Sequence, residues 1–507
     1  MKKRYFVSFF FGFLMIFLIN TKVFATDKYI IKNKEDLTKF SEEVNNGNNF
    51  EGIEVELQND IELQGNEDNQ WIPVGFSNAS GGNNIEEDDT RCSFKGTFNG
   101  NGYYISGIYI DSDRFLCGLF GVNEGIIENL TIKDSYIKSS SSYVGGITAY
   151  NAGVIKNCTN YGQIICDTSA GTAGGIAGYT TAGEIIECKN MGKVKGKTGY
   201  NAGITGFCFM GNIVKCVNYG EIENEKSAGG IVGCFQTSDM YECINRGTVK
   251  AISNAGGIIG YIKRYATMEY CYNTGKVENY SESSKSNIGG IIGYCNLYTD
   301  HIIDSCYSIG EIKYVTNNEI CVGQVIGSIN KEQNPLIKNV YYLNKENLKA
   351  YNGNDNEFDI IAKEESDFKE EEMISLLNKN INNDRINSEL NQKYGLYNEE
   401  GKVYVLDLYN QNNGFPILYW ERMKPDNYDE DGTVDNNISE TKGTVNKDEI
   451  INNSNNSTNK KISVTNSSEK PNMLPNTGKS KVIIVCVVLC MGVSIVLYQR
   501  HNKYRDL

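Results

Sequence analysis

The chain of 507 residues holds few side chains that could move protons near neutral pH. It has two histidines, His301 and His501, and lacks the His-Glu-x-x-His pattern of a zinc peptidase. Histidine is the side chain whose ordinary titration falls near pH 7, so catalysis built on it is nearly excluded. His301 stands in Thr299-Asp300-His301-Ile302, which reads as a surface loop. Carboxylates are the remaining option. Asp111, Asp113 and Arg114 follow a short β-branched run and form the most suggestive cluster. Glycoside hydrolysis, however, needs two carboxyl groups at a set separation. Asn427, Asp429, Asp431, Gly432 and Asp435 have the spacing of a calcium loop, but the twelfth position is Ile438 instead of glutamate. A solvated acidic linker is the better reading. Tyr150, Tyr179, Phe207, Tyr261 and Tyr294 recur at one position of a repeat, as a stripe that could stack on sugars. A self-stacking ladder is the expectation for it. No catalytic residue, cofactor site or metal site is assigned, and the chain is expected not to be an enzyme.

The elements that must carry these residues are repeats. Between Cys117 and Tyr342, units open with a Gly-Gly-Ile-x-Gly-Tyr core and run on to Cys-x-Asn-x-Gly-x-Ile/Val. The clearest copies start at Gly145, Gly174, Ala202, Gly229, Gly256 and Gly289, with degenerate copies at Cys117 and Val322, and successive starts lie 27 to 33 residues apart. A fixed period of this size means a solenoid. Runs of three to six β-branched residues between glycines read as strands bent at corners, and no long 3.6-residue pattern supports helices. The fold class is therefore all-β: a parallel β-helix, or β-solenoid, with small N- and C-terminal caps containing short helices.

Stacked coils must bring equivalent positions into columns. Cys158, Cys188, Cys216, Cys243, Cys271 and Cys306 share one position and should form an inward column with ~4.8 Å per coil. Two residues on, Asn160, Asn190, Asn218, Asn245 and Asn273 should form an amide ladder, with Ser308 in the last unit. Gly162, Gly192, Gly220, Gly247, Gly275 and Gly310 should take turn conformations that a Cβ forbids.

These units resemble the GLUG repeat of bacterial surface proteins. Phe94-Lys95-Gly96-Thr97-Phe98-Asn99-Gly100-Asn101-Gly102-Tyr103 is similar to the Gly-Thr-Phe-Asp-Gly-Asn-Gly stretch that commonly precedes that repeat. Asn413-Gly414-Phe415-Pro416-Ile417-Leu418-Tyr419-Trp420 resembles an ending often found in the family. The resemblance covers residues 28–424 and implies architecture; it names no ligand, because the repeat occurs on proteins of different activities.

In chain order, residues 1–25 read as a secretory signal. Lys2-Lys3-Arg4 gives the positive start, Tyr5–Asn20 the apolar run, and Val23-Phe24-Ala25 the exit site, with cleavage between Ala25 and Thr26. Residues 26–93 read as the N-terminal cap, with a helix at Lys34–Val44 and strands within Ile53–Leu63. Residues 94–345 hold about nine to ten coils, a rod on the order of 45–50 Å. Residues 346–424 read as the C-terminal cap, with a helix at Phe368–Asn378, a strand at Lys402–Leu408, and Trp420 over the last coils. Residues 425–473 are rich in Asn, Ser, Thr and Lys with few large apolar residues, the composition of a flexible spacer.

Residues 474–507 combine Leu474-Pro475-Asn476-Thr477-Gly478, the apolar run Val482–Tyr498, and a basic tail with Arg500, Lys503 and Arg505. Together they resemble the LPxTG-type cell-wall sorting signal of Gram-positive bacteria. The resemblance implies that a sortase cuts between Thr477 and Gly478 and joins Thr477 to peptidoglycan. The membrane segment would then belong to the precursor alone. The formal charge is −14, and both ends are basic, so the mature chain is more acidic still. Such a charge disfavours nucleic acid as a partner. Fifteen cysteines would ordinarily suggest disulfides, but six share one repeat position and no Cys-x-x-Cys occurs. Free thiols are expected, with pairing left open among Cys208, Cys234, Cys295 and Cys321. The reading is a wall-anchored surface protein, a binding or adhesion module facing a host, matrix or glycan ligand, with a carbohydrate-active β-helix enzyme or a passive stalk as alternatives.

Overall fold

Short strands separated by glycine-rich corners can bury their edges only by pairing with the next coil, and the chain does this throughout. The structure, a computed structural model, describes residues 28–422 except 78–89, 169, 281–284, 297–300, 316–319, 331–335, 346–347 and 354–357. The signal segment with its Ala25–Thr26 junction, the acidic run at Asn427–Asp435, the spacer, and Leu474, Pro475, Asn476, Thr477 and Gly478 lie outside the described residues. All described residues belong to the first of two units, Met1–Ile438.

The fold is a parallel β-solenoid of about nine turns with a few short helices. One coil contains the strands Tyr200–Ala202, Thr205–Phe209, Asn212–Val214, Val217–Asn218 and Ile222–Asn224. Each pairs in parallel with the equivalent strand of the next coil, for example Asn201 with Ala228 and Asn218 with Asn245. Two sheets hold eight strands each, and a third holds most of the rest. The register is one-to-one, so equivalent residues stack in columns.

Those columns carry the core. All six repeat cysteines are fully buried, and the backbone N–H of Cys243 donates to Cys271 Sγ at 3.3 Å. The asparagine ladder runs Asn160 to Asn190 at 3.0 Å, Asn190 to Asn218 at 2.9 Å, Asn218 to Asn245 at 2.8 Å and Asn245 to Asn273 at 2.8 Å. Each amide also closes a turn within its own coil: Asn218 Nδ2 donates to the Gly220 carbonyl, and the Gly220 N–H donates back to Asn218 Oδ1. A second, shorter ladder joins Asn123 to Asn151 at 2.8 Å.

The glycines two residues after the ladder do not work as expected. Gly162, Gly192, Gly220, Gly247, Gly275 and Gly310 are not in the left-handed region. They are small because the coils touch there: a Cβ on Gly220 would overlap the Gly192 carbonyl oxygen. The left-handed corner falls instead on the residue before each cysteine. Asn157, Glu187, Lys215, Glu242, Tyr270 and Ser305 have φ between 49° and 59°. This conformation is costly for a residue with a Cβ, and the neighbouring coils impose it.

At the N-terminal end, Lys28–Ile31 pairs with Glu54–Leu57, and that strand with Thr97–Asn99, so the first coil starts inside the cap. Helix α1 (Lys34–Asn45) lies across it, its N-terminus capped by the Asn33 side chain accepting from the Asp36 N–H. Leu37, Phe40 and Val44 are buried, and Phe40 meets Phe94, Phe98 and Phe120 with ring centroids 5.6 to 6.3 Å apart.

Ile360–Lys363 pairs in parallel with Leu336–Leu343 and Tyr351 packs on the core, as expected of an end cap, but beyond Lys363 the C-terminal segment folds back along the solenoid's flank. Lys215 Nζ donates to the Tyr394 and Gly395 carbonyls at 3.0 and 2.7 Å. Arg246 pairs with Glu421 at 2.7 Å, and Tyr404 Oη donates to the Ser305 carbonyl at 3.1 Å. Trp420 packs with this flank cluster, beside Val217, Ile244 and Tyr272 in the middle of the rod. Tyr404–Val405 pairs antiparallel with Ile417–Leu418, the one antiparallel strand pair among the described residues.

The thirteen described cysteines are free thiols, including Cys208, Cys234, Cys295 and Cys321. Alkylation of the native chain with peptide mapping is expected to label the half-buried Cys92 and Cys321 before any column cysteine, which should react only on unfolding. Asn218→Ala leaves ladder neighbours unpaired inside the protein and is expected to cost about 2–4 kcal/mol, read as a lower denaturation midpoint. Lys189→Ala on the exposed face should leave the midpoint unchanged.

Candidate functional site

The residues singled out for chemistry have ordinary structural roles. Asp111 is held by Lys138 of the next coil at 3.1 Å, one rung of an ion-pair series on that face that includes Lys195–Glu223 and Lys250–Glu221. Asp113 and Arg114 are exposed. His301 was expected at the surface and is fully buried. It leads directly into the strand Ile302–Ser308, its carbonyl accepts from the Leu336 N–H, and its ring lies 6.3 Å from that of Tyr265. Strand pairing on both sides draws it in.

The aromatic stripe exists, and it stacks on itself. Tyr150, Tyr179 and Phe207 face one another at centroid distances of 5.7 and 5.0 Å with interplanar angles of 5° and 8°. Tyr261 and Tyr294 follow at 5.5 Å. Ring faces used this way are closed to a sugar. The column breaks once, where Cys234 pairs with Phe207 on one side and Tyr261 on the other. Tyr200, from the adjacent sheet, leans into that gap, 5.7 Å from Phe207 and 6.2 Å from Tyr261.

In the adjacent sheet one register position varies in size from coil to coil. Tyr143 and Tyr200 occupy one register position in coils on either side of Thr172. The small threonine between two tyrosines leaves a groove of about 360 Å³, lined also by Phe209, Gln236 and Lys263. Lys263 is there because of a register shift: Phe235 pairs with Ile262 and Gln236 with Arg264, so Lys263 is an extra residue in its strand. Bulges of this kind re-aim side chains. Lys226 Nζ sits 5.6 Å from the Tyr200 ring centre. Burial pushes the Cys234 thiol up, and the charges of Lys263 and Lys226 pull against that shift. Burial also raises the Tyr143 phenol to about 12.

Thr172, Tyr200, Phe209, Gln236 and Lys263 went unnoticed in the sequence because each looks like a defect in a repeat. The available signal was misfit: a cysteine in an aromatic column, and one residue too many in a strand. A cavity of about 390 Å³ beside α1 is a packing seam by comparison. Its polar groups are tied to the chain, Lys34 to the Leu63 carbonyl, Ser41 to that of Ile72 and the Trp71 indole to that of Leu119.

Buried carboxylates lie elsewhere, under the C-terminal flank. Arg385 holds Glu269 at 2.9 Å. Asp304, fully buried, takes Lys338 at 3.3 Å and Asn380 at 2.9 Å. Glu242 is fully buried, and its carboxyl oxygens have no hydrogen-bond partner among the described residues. Burial raises this carboxyl well above the usual range, against the opposing charge of Lys215. The cluster is sealed between solenoid and flank and joins the two.

No protein-family model matches the chain. A proposed Gly-rich membrane protein of Evansella cellulosilytica is 35% identical over 115 residues, 21% of this chain and 12% of the relative. Halomucin of Haloquadratum walsbyi is 29% identical over 161 residues, 31% of this chain and 2% of the relative. The chain therefore spans a small part of either protein. Among solved structures, a proposed immunoglobulin A1 protease from Bacteroides ovatus has a TM-score of 0.38 at 18% identity, covering 78% of this chain and 94% of that one. An IgA1 protease has a TM-score of 0.33 at 15% identity, covering 64% of this chain and 22% of that one. Both neighbours carry a protease's name, and on that finding the expectation that the chain is not an enzyme is withdrawn. At these TM-scores no step of a protease mechanism passes to this chain.

Glu242 makes docking of the flank pH-dependent. Its folded value is raised, so above about pH 4.5 the native state keeps a proton that the unfolded chain has released. That part of the stability is present at low pH and is lost as pH rises through the folded value. Glu242→Gln is expected to raise the melting temperature at pH 7.5 and leave it unchanged at pH 4. Equal effects at both pH values would refute the assignment.

Proposed function

We propose that the chain is a cell-surface binding module, a solenoid that presents the groove at Thr172, Tyr200 and Lys263 to a host, matrix or glycan ligand. The observation that carries this reading is the groove itself. A regular column of stacked rings is interrupted at Cys234, and the groove beside that gap is furnished with the Phe209 ring, the Gln236 amide and Lys263, with Lys226 nearby over the Tyr200 ring. A stalk needs no such interruption.

Surface display is supported by the membrane description of the Evansella relative and by the sequence patterns at the two ends. In this proposal the signal is cut between Ala25 and Thr26, the repeats are of the GLUG type, and a sortase links Thr477 covalently to peptidoglycan. The mature chain is then secreted and fixed to a Gram-positive wall, with residues 425–473 as its spacer.

The test is an array of glycans and matrix proteins probed with the purified full-length chain, with release of reducing ends assayed in the same wells. Saturable binding to at least one ligand class is the expected result. Silence on the whole array would leave a passive structural stalk. New reducing ends would make the chain a carbohydrate-active enzyme on whatever it binds.

A further inference from the structure

We infer that the groove binds an anionic carbohydrate, with a sugar ring against Phe209 and its carboxylate or sulfate at Lys263. This inference rests on the binding-module reading and names the ligand class for the same site.

Three observations converge on this chemistry. The first is a free aromatic surface. Phe209 is half-buried, lines the groove and has no ring neighbour among the described residues, unlike Tyr179 and Phe207, whose faces are taken. The C–H face of a pyranose is apolar and packs well on such a ring. The second is hydrogen-bonding capacity. The Gln236 side chain lines the groove and makes no hydrogen bond among the described residues, so both halves of its amide are available to sugar hydroxyls. The Tyr143 and Tyr200 hydroxyls belong to the lining residues as well.

The third observation is charge. The chain is acidic overall, and lysines such as Lys138, Lys195 and Lys250 are engaged by carboxylates of neighbouring coils. Lys263 and Lys226 have no ion-pair partner among the described residues; Lys263 lines the groove and Lys226 lies over the Tyr200 ring beside it. A bulge in an otherwise shift-free ladder delivers Lys263 to that place. Two uncompensated cations beside an aromatic groove select a ligand that is at once ring-shaped and negative. The groove's volume of about 360 Å³ suits a small segment of such a chain, at the lower end of ordinary ligand sites.

An acidic peptide fits less well. Extended peptides usually bind by adding a strand to an open sheet edge. The strands bearing Thr172, Phe209 and Gln236 are paired on both sides, so no edge is offered.

Titration calorimetry with the purified full-length chain tests the inference. The probes are hyaluronan oligosaccharide, carrying carboxylate alone, chondroitin sulfate oligosaccharide, carrying sulfate too, neutral dextran oligosaccharide, and poly-L-glutamate. At least one anionic oligosaccharide is expected to bind about tenfold tighter than dextran, weakening with added salt. Preference between the two identifies the anion. Lys263→Ala should weaken binding roughly tenfold, the loss of one charge-assisted hydrogen bond. Thr172→Tyr should fill the space between Tyr143 and Tyr200, close the groove and abolish binding with the melting temperature kept, while Lys189→Ala should change nothing. Equal affinity for dextran, or equal affinity for poly-L-glutamate, would overturn the inference. If the array yields a ligand whose binding survives both Lys263→Ala and Thr172→Tyr, the groove assignment falls and the binding-module reading stands. If no array ligand binds, both fall.

Discussion

Everything in this solenoid depends on the coils staying in register, and the buried amide column is the interaction that enforces it. Asn218 bonds at once to its own turn and to the amides of Asn190 and Asn245 in the coils on either side. A slip of one residue would leave these donors and acceptors unpaired away from water, at a cost well above the weak preference of any single short strand. With register fixed, the cysteines must line up inside and the rings must line up outside. Exposed ion pairs such as Lys195–Glu223 follow the same register and add little.

The same constraint explains where the backbone is strained. The coil must turn sharply just before each cysteine, and Glu187, Lys215, Glu242 and Tyr270 accept a left-handed conformation there. This corner also projects its residues sideways. Lys215 and Tyr270 consequently become attachment points of the C-terminal flank, through Gly395 and Arg385 in turn. The flank and the corner are thus one design: positions forced outward by coil geometry are covered by a segment rich in polar and aromatic groups.

A perfectly periodic surface offers no preferred place for a ligand. In this protein the period fails at Cys234 and at the extra Lys263. Each departure is small. Together they leave a groove beside the ring column with Lys263 in its lining, on a chain that is otherwise acidic.

How much of this was legible in the residues divides along the same line. Periodicity alone determined the solenoid, the inward cysteines and the asparagine ladder, because in-register stacking makes every repeat position a column and a column's chemistry can be read from its residue type. The helix at Lys34–Asn45 was legible from its apolar face. The reason for the glycines after the ladder was not, since contact between coils, with no positive φ, demands them. The burial of His301 and the sideways course of residues after Lys363 were not legible either, because both depend on which distant coil a segment meets. The groove is the clearest case. Thr172, Phe209, Gln236 and Lys263 lie up to 91 residues apart, and only the winding of successive coils, one strand spacing apart, brings them to a single wall.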